Sequence, residues 1–214
     1  MRLRHRGDDA LQDRLVWQCA SLLLAYPDHE HRRRLETVDA LLGHITVAVA
    51  DALAYTLAEL RGRDEMAVAA EYVETFDMRK NCTLLLTYWT AGDTRNRGVQ
   101  MLAFADAYRA AGAVPPKGEA PDHLPVVLEF AATVDHRAGR RLLAEHRGPI
   151  DVLRQALSDR ASMYAPAVGA VCATLPPVVP GQTARLLQAG PPAEAVGLQP
   201  FQLTVPPRRV QGGV

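Results

Sequence analysis

The sequence predicts an all-α fold: a single-domain helical bundle over residues 1–175, followed by a Pro-rich C-terminal tail over 176–214. Apolar residues recur at three- and four-residue spacing in segment after segment up to Leu175, as in helices that bury one face. No run alternates with period two for long enough to suggest a sheet. From Pro176 the periodicity stops, and Pro176, Pro177, Pro180, Pro191, Pro192, Pro200, Pro206 and Pro207 make up over half of the 15 prolines. Such a composition cannot bury enough apolar surface to fold, so the tail is expected to be largely disordered.

The elements follow in order. Leu11, Leu15, Cys19, Leu22 and Tyr26 keep helical spacing, and Val16, Ala20, Leu23 and Leu24 widen the stripe. A helix this apolar belongs well inside a bundle, and Tyr26-Pro27-Asp28 ends it. Glu30 to Ile45 starts with a charged run (His31, Arg32, Arg33, Arg34) that reads as a solvated face, with Leu35, Val38, Leu41 and Leu42 inward. Thr46 to Leu60 is Ala-rich, with Val49, Leu53, Leu57 and Leu60 on one side and Gly62 at its end. Asp64 to Phe76 places Met66, Ala69, Val73 and Phe76 together.

Asn81 is then expected to cap a short helix through Ala91 that is apolar almost all round (Cys82, Leu84, Leu85, Leu86, Tyr88, Trp89) and forms the buried centre of the domain. Thr83, Thr87 and Thr90 make a hydroxyl stripe that either bonds back to its own carbonyls or lines a groove. Gly92 ends this helix. Asp93 or Thr94 starts the next, which runs to Ala111 with Gly112 at its end and Met101, Leu102, Ala105 and Tyr108 inward. Pro115, Pro116, Gly118 and Pro121 form a loop, Asp122 is read as the cap of the following helix, and Pro125 falls in its first turn. Leu124, Val127, Leu128 and Ala131 face inward there, and two or three more helices fit Ala138 to Leu175, punctuated by Gly148-Pro149 and Pro166.

Composition narrows the function. Hydrophobic residues make up 48% and charged residues 22%, with a formal net charge of zero, so no global attraction to nucleic acid or to an anionic membrane is expected. Cys19, Cys82 and Cys172 are odd in number, far apart and set in apolar runs, which suits buried thiols in a reducing compartment. The histidines show no metal-ligand spacing, the glycines no phosphate cradle, and no serine sits in G-x-S-x-G. No catalytic residue, metal or cofactor is predicted, and the chain reads as a non-enzyme. Arg2, Arg4 and Arg6 precede an apolar run as in a signal peptide, but Asp8, Asp9, Asp13 and Arg14 intervene, while Gln18 and Ser21 interrupt it. No span suits a membrane helix, so a cytoplasmic protein without membrane insertion is expected.

Some charged positions ask for an account. Arg95 and Arg97 fall in the first turn of a helix, where the macrodipole disfavours cations by ~0.3–1 kcal/mol. Either carboxylates such as Asp77, Asp93 or Glu74 pair with them, or they form an anion or partner site. Asp122, Glu129 and Thr133 share a helix face and, with Glu119 and Asp77, would make an acidic wall beside the apolar central helix. The plain alternative is a capping Asp122 and a solvated Glu129. An acidic groove with an apolar floor suits a cationic amphipathic segment of another protein. His123 is either structural or a pH sensor.

These motifs together resemble a known family. Phe76-Asp77, Leu84-Leu85-Leu86-Thr87-Tyr88, Gly92-Asp93-Thr94-Arg95-Asn96-Arg97-Gly98, Tyr108-Arg109-Ala110-Ala111-Gly112 and Pro121-Asp122-His123-Leu124-Pro125-Val126-Val127-Leu128-Glu129-Phe130 resemble the NarJ-type family, in order and with its spacing. These are molybdenum-cofactor assembly chaperones, or delta subunits, of respiratory nitrate reductase, related to the TorD/DmsD-type maturation chaperones. Ala120 stands where a bulkier leucine is expected, and the tail lies outside the resemblance. The resemblance implies a chaperone without catalysis of its own. It would bind the N-terminal segment of the catalytic (alpha) subunit, keep it competent for molybdenum cofactor insertion and delay its membrane docking. The residues implied for that peptide are Asp77, Tyr88, Arg95, Arg97, Glu119, Asp122, His123 and Glu129, with Leu84 to Trp89 as the floor. The alternative is a small nucleotide- or phosphate-binding helical protein using Asp93, Arg95 and Arg97.

Overall fold

The computed structural model describes residues 2–91, 94–114 and 117–190, with the backbone path alone for 2–8 and 94–95. In chain order its α-helices are α1 (Arg2–Leu23), α2 (His31–Leu42), α3 (Val47–Arg61), α4 (Glu65–Tyr72), α5 (Tyr88–Ala91), α6 (Thr94–Ala110), α7 (Leu124–Thr133), α8 (His136–Glu145), α9 (Arg147–Ser158), α10 (Ala165–Thr174) and α11 (Gln182–Ala189). Among the described residues the one β-type contact is an isolated antiparallel bridge, Leu85 to His123. The all-α expectation holds.

The axis of the bundle is α1, which packs on α2, α3, α7 and α10. Its Val16, Trp17, Cys19, Ala20 and Leu23 are buried, as the wide apolar stripe requires. Polar groups carried inward are satisfied across the chain. Trp17 Nε1 donates to Thr174 Oγ1 at 2.8 Å, and Ser21 Oγ donates to the Pro125 carbonyl at 2.8 Å. All three cysteines are free and buried, and burial pushes the Cys19 thiol up to about 12 and Cys172 to about 11.

α7 and α8 pack closely because Gly139 has no side chain. A Cβ at Gly139 would lie 2.2 Å from Ala131 Cβ and 2.4 Å from its Cα. Gly112, past the end of α6, takes the left-handed φ of +75° that glycine accepts without cost.

The structure departs from the sequence reading in four places. The helix expected from Asn81 to Ala91 does not form. A 3-10 turn, Lys80–Cys82, leads into an extended stretch and then the short α5. Leu86 N donates to the Asp122 carbonyl at 3.1 Å and Leu124 N to the Leu84 carbonyl at 2.8 Å, so tertiary pairing replaces helical bonds. The all-round apolar composition reflects a short strand-like run buried on both sides, which periodicity cannot separate from a buried helix. The centre of the bundle is therefore α1.

α4 passes into a π-helical turn, Val73–Asp77, closed by Met78 N donating to the Val73 carbonyl at 3.0 Å, and its buried residues are Val68 and Tyr72 while Met66 is exposed. On α6 the expected Leu102 is 55% exposed, and the fully buried Phe104 takes its place against the His146 ring at 4.9 Å. Finally, α11 is a helix inside the stretch expected to lack structure. It packs on α9, with Thr183 Oγ1 donating to Asp151 Oδ2 at 3.0 Å and Gln182 over Gly148. Residues 191–214 of that tail lie outside the described residues.

His31 begins α2 on the inner side of its charged run, buried, with neither ring nitrogen finding a partner. Burial, and then the charge of Arg34, lowers its pKa from the ordinary 6.5. The unfolded chain then binds this proton at higher pH than the folded one, so stability is lost as pH falls below about 6.5. His31→Leu is expected to flatten the decline of the urea midpoint between about pH 7 and 5. A decline as steep as in the native chain would assign it to other groups.

Candidate functional site

Several of the sequence motifs converge where the π turn, the extended stretch and the loop before α7 meet. Tyr72 and Phe76 project from the end of α4 and the π turn into an aromatic cluster, with ring centroids 4.7 Å apart and Phe76 4.9 Å from Tyr164. Tyr26 closes on Tyr72 edge-on at 5.4 Å. Beside this cluster lies a groove of about 300 Å³ lined by Tyr72, Phe76, Asp77, Thr83, Leu84, Leu85 and His123. The π turn carries Asp77 to its rim, and the bridge between Leu85 and His123 joins its floor to its far side.

The rim is acidic. Asp77 and Glu119 are exposed, and Glu119 Oε2 lies 2.6 Å from His123 Nδ1. Burial pushes the Tyr72 hydroxyl well above its usual range, and the carboxylates of Asp77 and Glu119 add to that rise. Its proton stays on, donated to the Leu24 carbonyl at 3.1 Å. The arrangement offers an aromatic wall, an aliphatic floor and two carboxylates at the mouth. It contains no nucleophile beside a base, and the described residues hold no cluster of three metal-ligating side chains.

Behind the floor sits a buried polar knot. Asp122 is fully buried, and its Oδ2 accepts from Thr87 N at 3.1 Å and Thr87 Oγ1 at 2.6 Å. Its Oδ1 lies 3.5 Å from an Arg97 guanidinium nitrogen, and Arg97 Nε donates to Thr87 Oγ1 at 3.3 Å. Two expectations change here. Asp122 does not cap α7: His123 holds that position, without a side-chain cap bond. Asp122 and Glu129 also do not form one acidic wall, because Glu129 is exposed on α7 beside a separate hollow of about 240 Å³ with Tyr108, Val126 and Phe130. Fully buried and bonded to a backbone N–H and a hydroxyl, this carboxylate is closed to an incoming ligand.

Arg97 at the start of α6 is thus compensated by pairing, and its partner among the described residues is Asp122 rather than Asp77 or Glu74. The side chains of Asp93 and Arg95 lie outside the described residues. Tyr88 is half-buried on α5 against Trp89, at 6.0 Å between centroids, with its hydroxyl buried and unpartnered; it does not line the groove. The threonine stripe is split. Thr87 serves Asp122, Thr83 Oγ1 accepts from Leu85 N at 3.3 Å, and Thr90 Oγ1 donates to Gln100 Oε1 at 2.7 Å. The sequence reading missed Tyr72 and Phe76 as groove walls. The break Asp77-Met78-Arg79-Lys80-Asn81, which sets a charged run just after an aromatic helix end, was the available signal.

A larger hollow of about 740 Å³ lies between α2, the end of α3 and the start of α4. Its arginines are held by carboxylates: Arg32 by Glu65 at 3.4 Å, Arg61 by Asp39 at 3.2 Å, and Arg63 by Glu59 at 2.9 Å and Glu71 at 2.6 Å. An incoming phosphate would have to displace them, so neither this hollow nor Arg97 favours the phosphate-binding alternative.

Comparison with known proteins gives a consistent set of relatives. The profile of the nitrate reductase delta subunit family matches residues 37–169. The chain is 58% identical over 160 residues to the nitrate reductase-like protein NarX of Mycobacterium tuberculosis, a match that covers 75% of this chain and 24% of that protein. The chain thus spans about a quarter of NarX. It is 30% identical over 162 residues to the probable nitrate reductase molybdenum cofactor assembly chaperone NarJ of Bacillus subtilis, covering 75% of this chain and 88% of that one. Its fold is similar to that of a putative redox enzyme maturation protein from Archaeoglobus fulgidus, with a TM-score of 0.55 and 23% identity over 75% of this chain and 91% of the other. On the span and strength of these matches, the chain belongs to the nitrate reductase delta subunit family.

Proposed function

We propose that this chain is an assembly chaperone for a respiratory nitrate reductase, acting without catalysis of its own. It captures the N-terminal segment of the apo catalytic subunit, holds the subunit open to the molybdenum cofactor and delays its docking at the membrane. The observation that carries this reading is the groove between the π turn and the loop before α7. Apolar side chains of an extended or helical segment would enter between Phe76 and Leu85, while its basic residues meet Asp77 and Glu119. The similarity to the Bacillus subtilis chaperone NarJ supports the role. No described helix is long and apolar enough to cross a membrane, and a cytoplasmic site of action is part of the proposal.

Within this reading five of the eight residues implied by the family motifs divide by place. Asp77, Glu119 and His123 form the contact rim, while Asp122 and Arg97 hold the floor in shape from behind. The test is titration of the full chain with a synthetic peptide of the catalytic subunit's N-terminal segment. Charge-assisted hydrogen bonds contribute ~1.5–3 kcal/mol each, so Asp77→Asn with Glu119→Gln is expected to weaken binding by at least about tenfold. The thermal midpoint should barely move, because both carboxylates are exposed. Unchanged peptide affinity in that double variant would refute the groove as the capture site.

A further inference from the structure

We propose that the groove has a resident occupant: residues 198–209 of this same chain dock in it, and a client must displace them. The inference rests on the reading of the groove as a peptide site and adds its regulation. The sequence Leu198-Gln-Pro-Phe201-Gln-Leu203-Thr-Val205-Pro-Pro-Arg208-Arg209 sets Phe201, Leu203 and Val205 two residues apart. In extended form these side chains share one side, with the polar Gln202 and Thr204 on the other. Pro200, Pro206 and Pro207 favour extended backbone and lower the entropy lost on docking. From residue 195 to 209 the segment carries two arginines and no acid, which complements a mouth formed by Asp77 and Glu119.

The path is short. α11 packs on α9, and α9 packs on the 3-10 turn Lys80–Cys82, whose next residue, Thr83, lines the groove. Thr183 bonded to Asp151 anchors α11 on that side. α9 is thus in contact both with α11 and with the turn that leads into the groove. The 11 residues from Gly190 to Phe201 reach up to about 36 Å. Arg79 and Lys80 stand near the approach, and Arg79 is neutralised by its ion pair with Glu74.

The test uses full-length chains and a synthetic peptide of residues 197–210 as probe. In the native chain the tethered copy competes with the probe. In a Phe201→Asp/Leu203→Asp chain, and separately in Arg208→Glu/Arg209→Glu, that competition is lost. A tethered segment at an effective concentration near millimolar masks a site of modest affinity, so the probe should bind both variants on the order of tenfold more tightly than the native chain. Adding Asp77→Asn/Glu119→Gln to the first variant should reverse the gain. Equal affinity for native and variant chains, or no binding of the probe to any of them, overturns the docking. The client peptide, titrated in parallel, decides the capture reading separately: if it binds no chain while the probe binds as expected, the capture reading falls and the docking stands.

Discussion

Asp122→Ala is expected to destabilise the protein by about 2–4 kcal/mol, at about 1–3 for each buried donor left without a partner. The loss strands a backbone N–H and the Thr87 hydroxyl in a dry site, while Arg97, 28% exposed, turns partly to water. Asp122→Asn keeps an acceptor for Thr87 but loses the charge facing Arg97, and should cost roughly 1–3 kcal/mol. Glu129→Gln, on the outside of α7, should stay within about 0.5 kcal/mol of the native chain. Urea denaturation at neutral pH separates the three. Since Asp122 also tethers the strand that floors the groove, peptide affinity should fall along with stability in the alanine variant. A loss under about 1 kcal/mol would mean the buried knot is not structural.

Gly139→Ala is the second large effect, and propensity gives it the wrong sign. Alanine favours a helix interior over glycine by about 1 kcal/mol, so α8 alone would gain. The added methyl, however, would stand 2.2 Å from Ala131 Cβ and 3.0 Å from its backbone nitrogen, atoms that cannot swing aside. The two helices must separate, and overpacking of this kind costs about 1–3 kcal/mol or more. Net destabilisation is expected, with the thermal midpoint lowered by several degrees at ~2–4 °C per kcal/mol. Ala131→Gly in the same chain should restore part of the loss, since the clash is between these two residues. A Gly139→Ala chain as stable as the native one would show that α7 and α8 part without cost.

Much of the fold was legible because it rests on amphipathic periodicity. The positions of α1, α2, α3 and α7, the proline in the first turn of α7 and the glycine after α6 follow from local chemistry that tertiary contacts reinforce. The stretch from Asn81 to Ala91 was not legible as extended backbone, because Leu84 to Leu86 owe their conformation to carbonyl and N–H partners near Asp122, 35 or more residues away. For the same reason Asp122 read as a cap: a carboxylate just before a proline-initiated helix has that signature, and only the strand beside it gives the oxygen something better to bind. Asp77, Glu119 and His123 gather at one rim, whereas Glu129, exposed on α7, lines a separate hollow.

The three sequestered thiols give this protein an internal clock. With Cys19, Cys82 and Cys172 protonated and hidden, an alkylating reagent has to wait for the bundle to open before it finds a thiolate. Labelling speed then reports how often the structure around each cysteine opens, without any engineered tag. It also means that an oxidant meeting the folded body finds all three sulfhydryls buried.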